Sequence, residues 1–182
     1  MVMEELEDIE NNNNSNIDDI IEVDLSLDTS KDSESKKMME KIKNLSKYCE
    51  DERKYWRDVV FKLTKRLEDD IKSNINVESE IINERQMILE TKQKTAILIL
   101  KFSRQMKEKY DIWFEYFSTE CQHKLNSTEK NKQIEVKLRY HQEVINILEN
   151  HVDYLKSTED NFKTMNFTVK NKITVYGIFG LD

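Results

Sequence analysis

Residues able to do chemistry are few in this chain and poorly spaced for it. Its three histidines are His123, His141 and His151. None has a ligand-bearing neighbour three or four positions on, the spacing that puts two side chains on one helix face and onto one metal ion. Cys121-Gln122-His123 offers a thiol and an imidazole two positions apart, which a helix points in different directions. Cys49 lies far from Cys121, and both read as reduced thiols within helical patterns. Asp69-Asp70 and Glu78 with Glu80 are carboxylate pairs in sequence only, as solvated helix faces carry them, and no Ser, His and Asp set stands out for nucleophilic catalysis. The chain therefore reads as a non-enzyme, with no catalytic residue, no metal ligand and no cofactor assigned.

Phosphate-cradling loops are equally out of reach, because their backbone approaches the ligand through glycine. The 182 residues include no proline and two glycines, Gly177 and Gly180, both among the last six positions. Ordinary usage would give about nine prolines and about thirteen glycines. Sandwiches, barrels and doubly wound α/β folds lean on those residues for their tight turns, so the composition leaves long helix. Hydrophobic residues make up 37% and charged residues 36%, a balance that suits amphipathic helices with narrow apolar seams. The longest apolar run, Ala96 to Leu100, is far too short to span a bilayer, and the acidic N-terminus lacks a signal peptide pattern. The expectation is an intracellular protein, nuclear or cytoplasmic, neither secreted nor transmembrane.

Charge divides the chain. Residues 1–35 carry twelve acids against one base, Lys31, a net −11 within a total of −7, so the remainder is +4. The body is thus nearly neutral, which argues against a strong grip on nucleic acid. Its basic clusters, Lys62, Lys65 and Arg66, then Lys101, Arg104, Lys107 and Lys109, interleave with Glu68, Asp69, Glu108 and Asp111 in the manner of a solvated face. The stretch 1–35 reads as a disordered acidic tail. Within it Asp18, Asp19, Ile20, Ile21, Glu22, Val23, Asp24 and Leu25 set β-branched aliphatics inside a fence of carboxylates. Such a segment can add a strand to an exposed sheet edge while its acids meet a basic rim. The pattern resembles the short motif by which disordered tails bind the ubiquitin-like modifier SUMO, and that resemblance implies SUMO, or another sheet-edge protein, as a partner.

The elements that would position everything else are helical. From Met38 the apolar residues Met38, Ile42, Leu45, Cys49, Trp56, Val59 and Leu63 recur every three or four positions, with Glu52 occupying one seam position. Asp32 or Ser33 is placed to cap that helix, and residues 72–76 either turn the chain without glycine or continue the helix. A second seam, Ile82, Leu89, Ala96, Ile99, Met106, Tyr110, Trp113 and Phe117, is interrupted by Arg85, Lys92 and Ser103. Between Ala96 and Phe117 apolar side chains surround the helix, which predicts that this cluster, with Tyr110, Trp113, Phe114 and Phe117 as its aromatic core, is the most buried part, the centre of a three- or four-helix contact built within the chain or with a partner. Residues 126–133 are polar and read as a loop. The third seam, Ile134, Leu138, His141, Ile145, Leu148, Val152, Leu155 and Phe162, is the most regular, and Glu159 is its one charge in register. It predicts a coiled-coil interface at Ile134, Leu138, Ile145, Leu148, Val152, Leu155 and Phe162.

Beyond Met165 the texture turns β-branched and alternating, which predicts a short β-like segment over 166–182. Ile173, Val175, Ile178, Phe179 and Leu181 are its docking residues, set either on the helices or on a partner. The whole is expected to be all-α: long helices in a coiled coil or elongated three-helix bundle over 36–165, flanked by the tail and the C-terminal segment. Two functions fit such an object. One is a structural or adaptor subunit of a multiprotein complex, nuclear or chromosome-associated if the tail motif is read as SUMO-binding, paired with other coiled-coil subunits or with itself. The other is a cytoskeletal or membrane-trafficking tether, including a BAR-like membrane-binding helical dimer. Nucleic acid and membrane are the disfavoured partners.

Overall fold

The computed structural model describes residues 31–68, 71–121 and 124–179, and they form three helices. Helix α1 spans Lys31–Glu68, α2 spans Ile71–Thr119 and α3 spans Ser127–Phe179. The chain divides into two compact units, Met1–Glu50 and Asp51–Asp182. In the first, Leu45 and Cys49 are the buried side chains, four positions apart on one face of α1.

The second unit is a three-helix bundle, and its directions follow from which residues meet. Arg66 of α1 is ion-paired with Glu80 of α2, fourteen positions on. A continuous helix would hold those residues about 21 Å apart, so α1 and α2 run antiparallel. Glu52 meets His151 of α3, Trp56 packs edge-on against Phe162, and Lys172 donates to the Leu67 carbonyl. Partners on α1 and α3 therefore advance together, and the two helices are parallel. The Lys172 ammonium sits where the last carbonyls of α1 carry partial negative charge, a favourable end for a cation. Lys92 pairs with Glu159, and Tyr110 donates to Asn131, which sets α2 and α3 antiparallel.

The core of this unit is one cluster: Trp56, Leu63 and Leu67 from α1, Val77, Ile81 and Ile88 from α2, and Leu155, Phe162 and Val169 from α3. Each triplet recurs at spacings of four or seven, so each helix contributes one stripe. Burying one such side chain stabilises the fold by roughly 1.5–3 kcal/mol.

Several boundaries differ from those the sequence predicts. Residues 166–179 are not β-like: α3 continues unbroken to Phe179, and no strand occurs among the described residues. The reason is packing. Phe162, Val169 and Ile173 follow one another at seven and four, so a helix carries the core stripe about three turns beyond Phe162, and Val169 is completely buried. The threonines that raise the β-propensity are accommodated by donating back along the helix, Thr168 to the Thr164 carbonyl at 3.0 Å and Thr174 to the Lys170 carbonyl at 2.8 Å. Alternation would have placed Val169 and Val175 on one face, yet Val175 is exposed.

Residues 72–76, where the sequence allows either a turn or a helix, are helix, since α2 already begins at Ile71. Asp32 and Ser33 likewise lie inside α1, which begins at Lys31. At 126–133 only Asn126 is outside α3. Its side chain accepts from the Glu129 amide at 2.9 Å, and the Glu129 carboxylate accepts from the Asn126 amide at 3.0 Å. This reciprocal capping box satisfies two backbone donors and converts an apparently polar loop into a helix start.

Candidate functional site

Among the described residues the chemically able side chains are not brought together in one cluster. His141 and His151 lie on α3, and neither the buried Cys49 nor the half-buried Cys121 is in a disulfide. His123 and Asp69-Asp70 fall outside the described residues. Among the described residues no three His, Cys, Asp or Glu side chains converge to hold a metal ion. Glu78 and Glu80 serve separate partners, Lys170 at 4.0 Å and Arg66. Glu84 keeps one carboxylate oxygen buried without a partner, and burial, with Glu80 beside it, pushes its carboxyl up.

The polar residues that interrupt the seams instead find each other. Glu52, the acid in the α1 seam, holds Nε2 of His151 at 2.6 Å, with the imidazole wholly buried. One turn on, Tyr154 donates its hydroxyl to the Arg53 carbonyl at 2.8 Å. Glu159, the charge in the α3 seam, meets both cations that interrupt the α2 seam. Lys92 donates to its Oε2 at 2.6 Å and Arg85 lies 3.8 Å from Oε1, while Lys163 of α3 closes the cluster at 2.8 Å. The Glu159 side chain is only 6% exposed. Hydrogen bonds from Lys163 and Lys92 hold its carboxyl down at about 2. Two lysine donors on one carboxylate stabilise its charged form against the cost of burial.

His141 is the counter-example. It is buried, neither ring nitrogen has a hydrogen-bond partner, and burial together with the Lys109 ammonium lowers its pKa to about 4. It behaves as a neutral core side chain with the ring of Tyr140 set edge-on to it.

Of the residues expected to form an interface on α3, Ile134, Leu138, Ile145, Leu148, Leu155 and Phe162 are buried in the folded chain and Val152 is half-buried. The aromatic segment of α2 is placed the other way. Phe114 is exposed and Tyr110, Trp113 and Phe117 are half-buried, so the core lies elsewhere. At this level α3 answers with polar side chains: Lys137 lies 5.1 Å above the Trp113 ring, Lys130 lies 5.8 Å from that of Phe114, and Asn131 accepts from Tyr110 at 3.1 Å. The rings cover one another, Trp113 against Tyr116 and Phe117. Of the C-terminal docking residues, Ile173 packs on the core and Val175 faces solvent. The side chains of Ile178 and Phe179, and all of Leu181, fall outside what the structure describes, as does the tail motif from Asp18 to Leu25.

What the seams did not announce is the outer surface of α2. Of the twelve large hydrophobic side chains left exposed among the described residues, seven belong to this helix: Ile82, Met87, Ile97, Leu100, Ile112, Phe114 and Tyr116. The sequence signal was present, since apolar residues surround α2 from Ala96 to Leu100, but it pointed equally to burial and to display. No helix among the described residues is long and apolar enough to cross a membrane. No protein-family model, no curated protein and no solved structure matches this chain.

Proposed function

We propose that this chain is a non-enzymatic interaction subunit and that α2 is its partner-facing helix. The observation that carries the reading is the division of labour on α2. Its polar residues Arg85, Lys92 and Thr95 are turned into the bundle, while Ile97, Leu100, Ile112 and Phe114 are displayed outward. A helix that presents aliphatic and aromatic side chains on several sides has surface to give to a neighbour. Placing a photo-crosslinking residue at position 97, 100 or 114, with position 143 of α3 as the control, tests it in cells that make the protein. Adducts with one defined partner from the α2 positions, and none from position 143, are expected. Adducts from all positions alike, or from none on α2, would refute the reading.

The acidic aliphatic segment from Asp18 to Asp28 supports a second contact in the same subunit, with SUMO or another sheet-edge protein, and with it a nuclear setting. Titration with a SUMO protein should shift the amide resonances of Ile20, Ile21 and Val23 selectively. Unmoved resonances would end that part of the proposal.

A further inference from the structure

We infer that the outward face of α2 from Lys94 to Lys107 is a docking site for an acidic partner segment carrying paired aliphatic side chains. The inference rests on the reading of α2 as the partner-facing helix and gives that partner its chemistry. Thr95, Leu98 and Phe102 are buried and fix which side of the helix faces the bundle. The opposite side presents Ile97 and Leu100, 65% and 67% exposed, within one turn of each other. Lys94, Lys101, Arg104 and Lys107 are exposed around them. From Thr91 to Lys107 the sequence has no acid, and Glu90 and Glu108 bound the stretch. Lys92, the other base of the stretch, is occupied by Glu159. An apolar pair fenced by four cations over about four turns is complementary to aliphatics fenced by carboxylates. A lipid surface is the poorer match: two aliphatic side chains without an aromatic among them bury little in a headgroup layer. Residues 16–29 of the chain itself have the required composition, five acids and no base around Ile20, Ile21, Val23, Leu25 and Leu27, and supply a ready probe.

The experiment titrates a fluorescent synthetic peptide with the sequence of residues 16–29 against the full-length protein, reading anisotropy. Saturable binding is expected, weakening as salt rises. The pair Lys101→Glu and Arg104→Glu should weaken it about tenfold or more, as should Ile97→Ser with Leu100→Ser. A peptide of equal charge with Ile20, Ile21 and Val23 replaced by serine should also bind about tenfold more weakly. All four protein positions are exposed, and unchanged circular dichroism confirms that the variants fold. Absence of saturation up to about 1 mM, equal binding of the serine peptide, or indifference to the charge reversals overturns the proposal. Retention of the protein by vesicles of four parts phosphatidylcholine to one part phosphatidylserine, abolished by the same reversals, overturns it in favour of a membrane surface. Crosslinks from position 100 to a partner, with no peptide binding, overturn this inference and leave the partner-facing role of α2 standing.

Discussion

Replacing Glu159 by glutamine tests the central ion cluster, because Gln keeps the volume and removes the charge. In the native chain the carboxyl titrates at about 2 rather than 4.5, held there by Lys163 and Lys92. A carboxylate whose folded pKa is depressed contributes stability that is fully present above the unfolded value. That contribution is lost as pH falls through the folded one, here between about 4.5 and about 2. At about 1.36 kcal/mol per pH unit the shift corresponds to about 3 kcal/mol as a ceiling. Lys92 and Lys163 are 27% and 45% exposed and water screens their half of the interaction, which brings the expected loss in Glu159→Gln to roughly 2 kcal/mol at pH 7. Gln can accept one lysine at its carbonyl oxygen, but its amide donors then face the other cations. Urea unfolding followed by the fluorescence of Trp56 and Trp113 measures the difference at pH 7, 5, 4, 3 and 2.5. It should be near its full size at pH 7 and 5, and it should shrink steadily below pH 4, where the unfolded chain's carboxyl takes up a proton while the native one is still ionised. A difference that stays constant to pH 2.5, or one under about 0.5 kcal/mol at pH 7, would refute the cluster as a stabilising element.

Two other substitutions have signs fixed by the structure. His141→Leu should stabilise the chain by about 1 kcal/mol at pH 7, since it removes two buried ring nitrogens that have no partner. The native histidine titrates at about 4 when folded and 6.5 when unfolded, so the unfolded chain binds its proton first and native stability falls as pH drops from 6.5 to 4. The leucine variant should lack that fall in denaturant titrations across the window, and an unchanged slope would contradict the assignment. Asn126→Ala opens the capping box and should cost about 1 kcal/mol, with Asn126→Ser recovering most of it. A thermal melt that leaves Asn126→Ala and the native chain together would show that the start of α3 is held by other contacts.

The helices themselves were legible because seam spacing is a local signal. Leu63 and Phe162 fall where periodicity put them, within the stripes of α1 and α3, whereas on α2 the buried Ile81 and Ile88 each stand one position before Ile82 and Leu89 of the predicted seam, and Ile82 is exposed. Helix boundaries were less legible, for two physical reasons. Asn126 and Glu129 are polar residues of the kind that make loops, and only their reciprocal hydrogen bonds reveal a helix start. Val169 and its neighbours have the side chains of a strand, and what decides for helix is a core stripe from other elements that the local sequence does not contain. The aromatic segment misled for a related reason. Apolar residues all round a helix say that it has surface to cover, and they do not say whether this chain or another covers it.

The same limits explain what the seam interruptions mean. An apolar seam repeats every seven residues, so α3 could slide by one heptad against α2 and still match aliphatic with aliphatic. That slide is about 10 Å, and it would move Glu159 beyond reach of Lys92 and Arg85. It would also carry the buried His151 imidazole away from the half-buried Glu52 carboxylate, leaving each without the other. Unpaired buried charge costs several kcal/mol, so every slipped register is penalised even though the pairs contribute modestly in the correct one. Taken singly, Glu52, Arg85, Lys92 and Glu159 look like defects in three imperfect zippers. Taken together, an acid on α1 with a histidine on α3, and two bases on α2 with an acid on α3, they pair the helices and fix the alignment that leaves Ile97 and Leu100 on the outside.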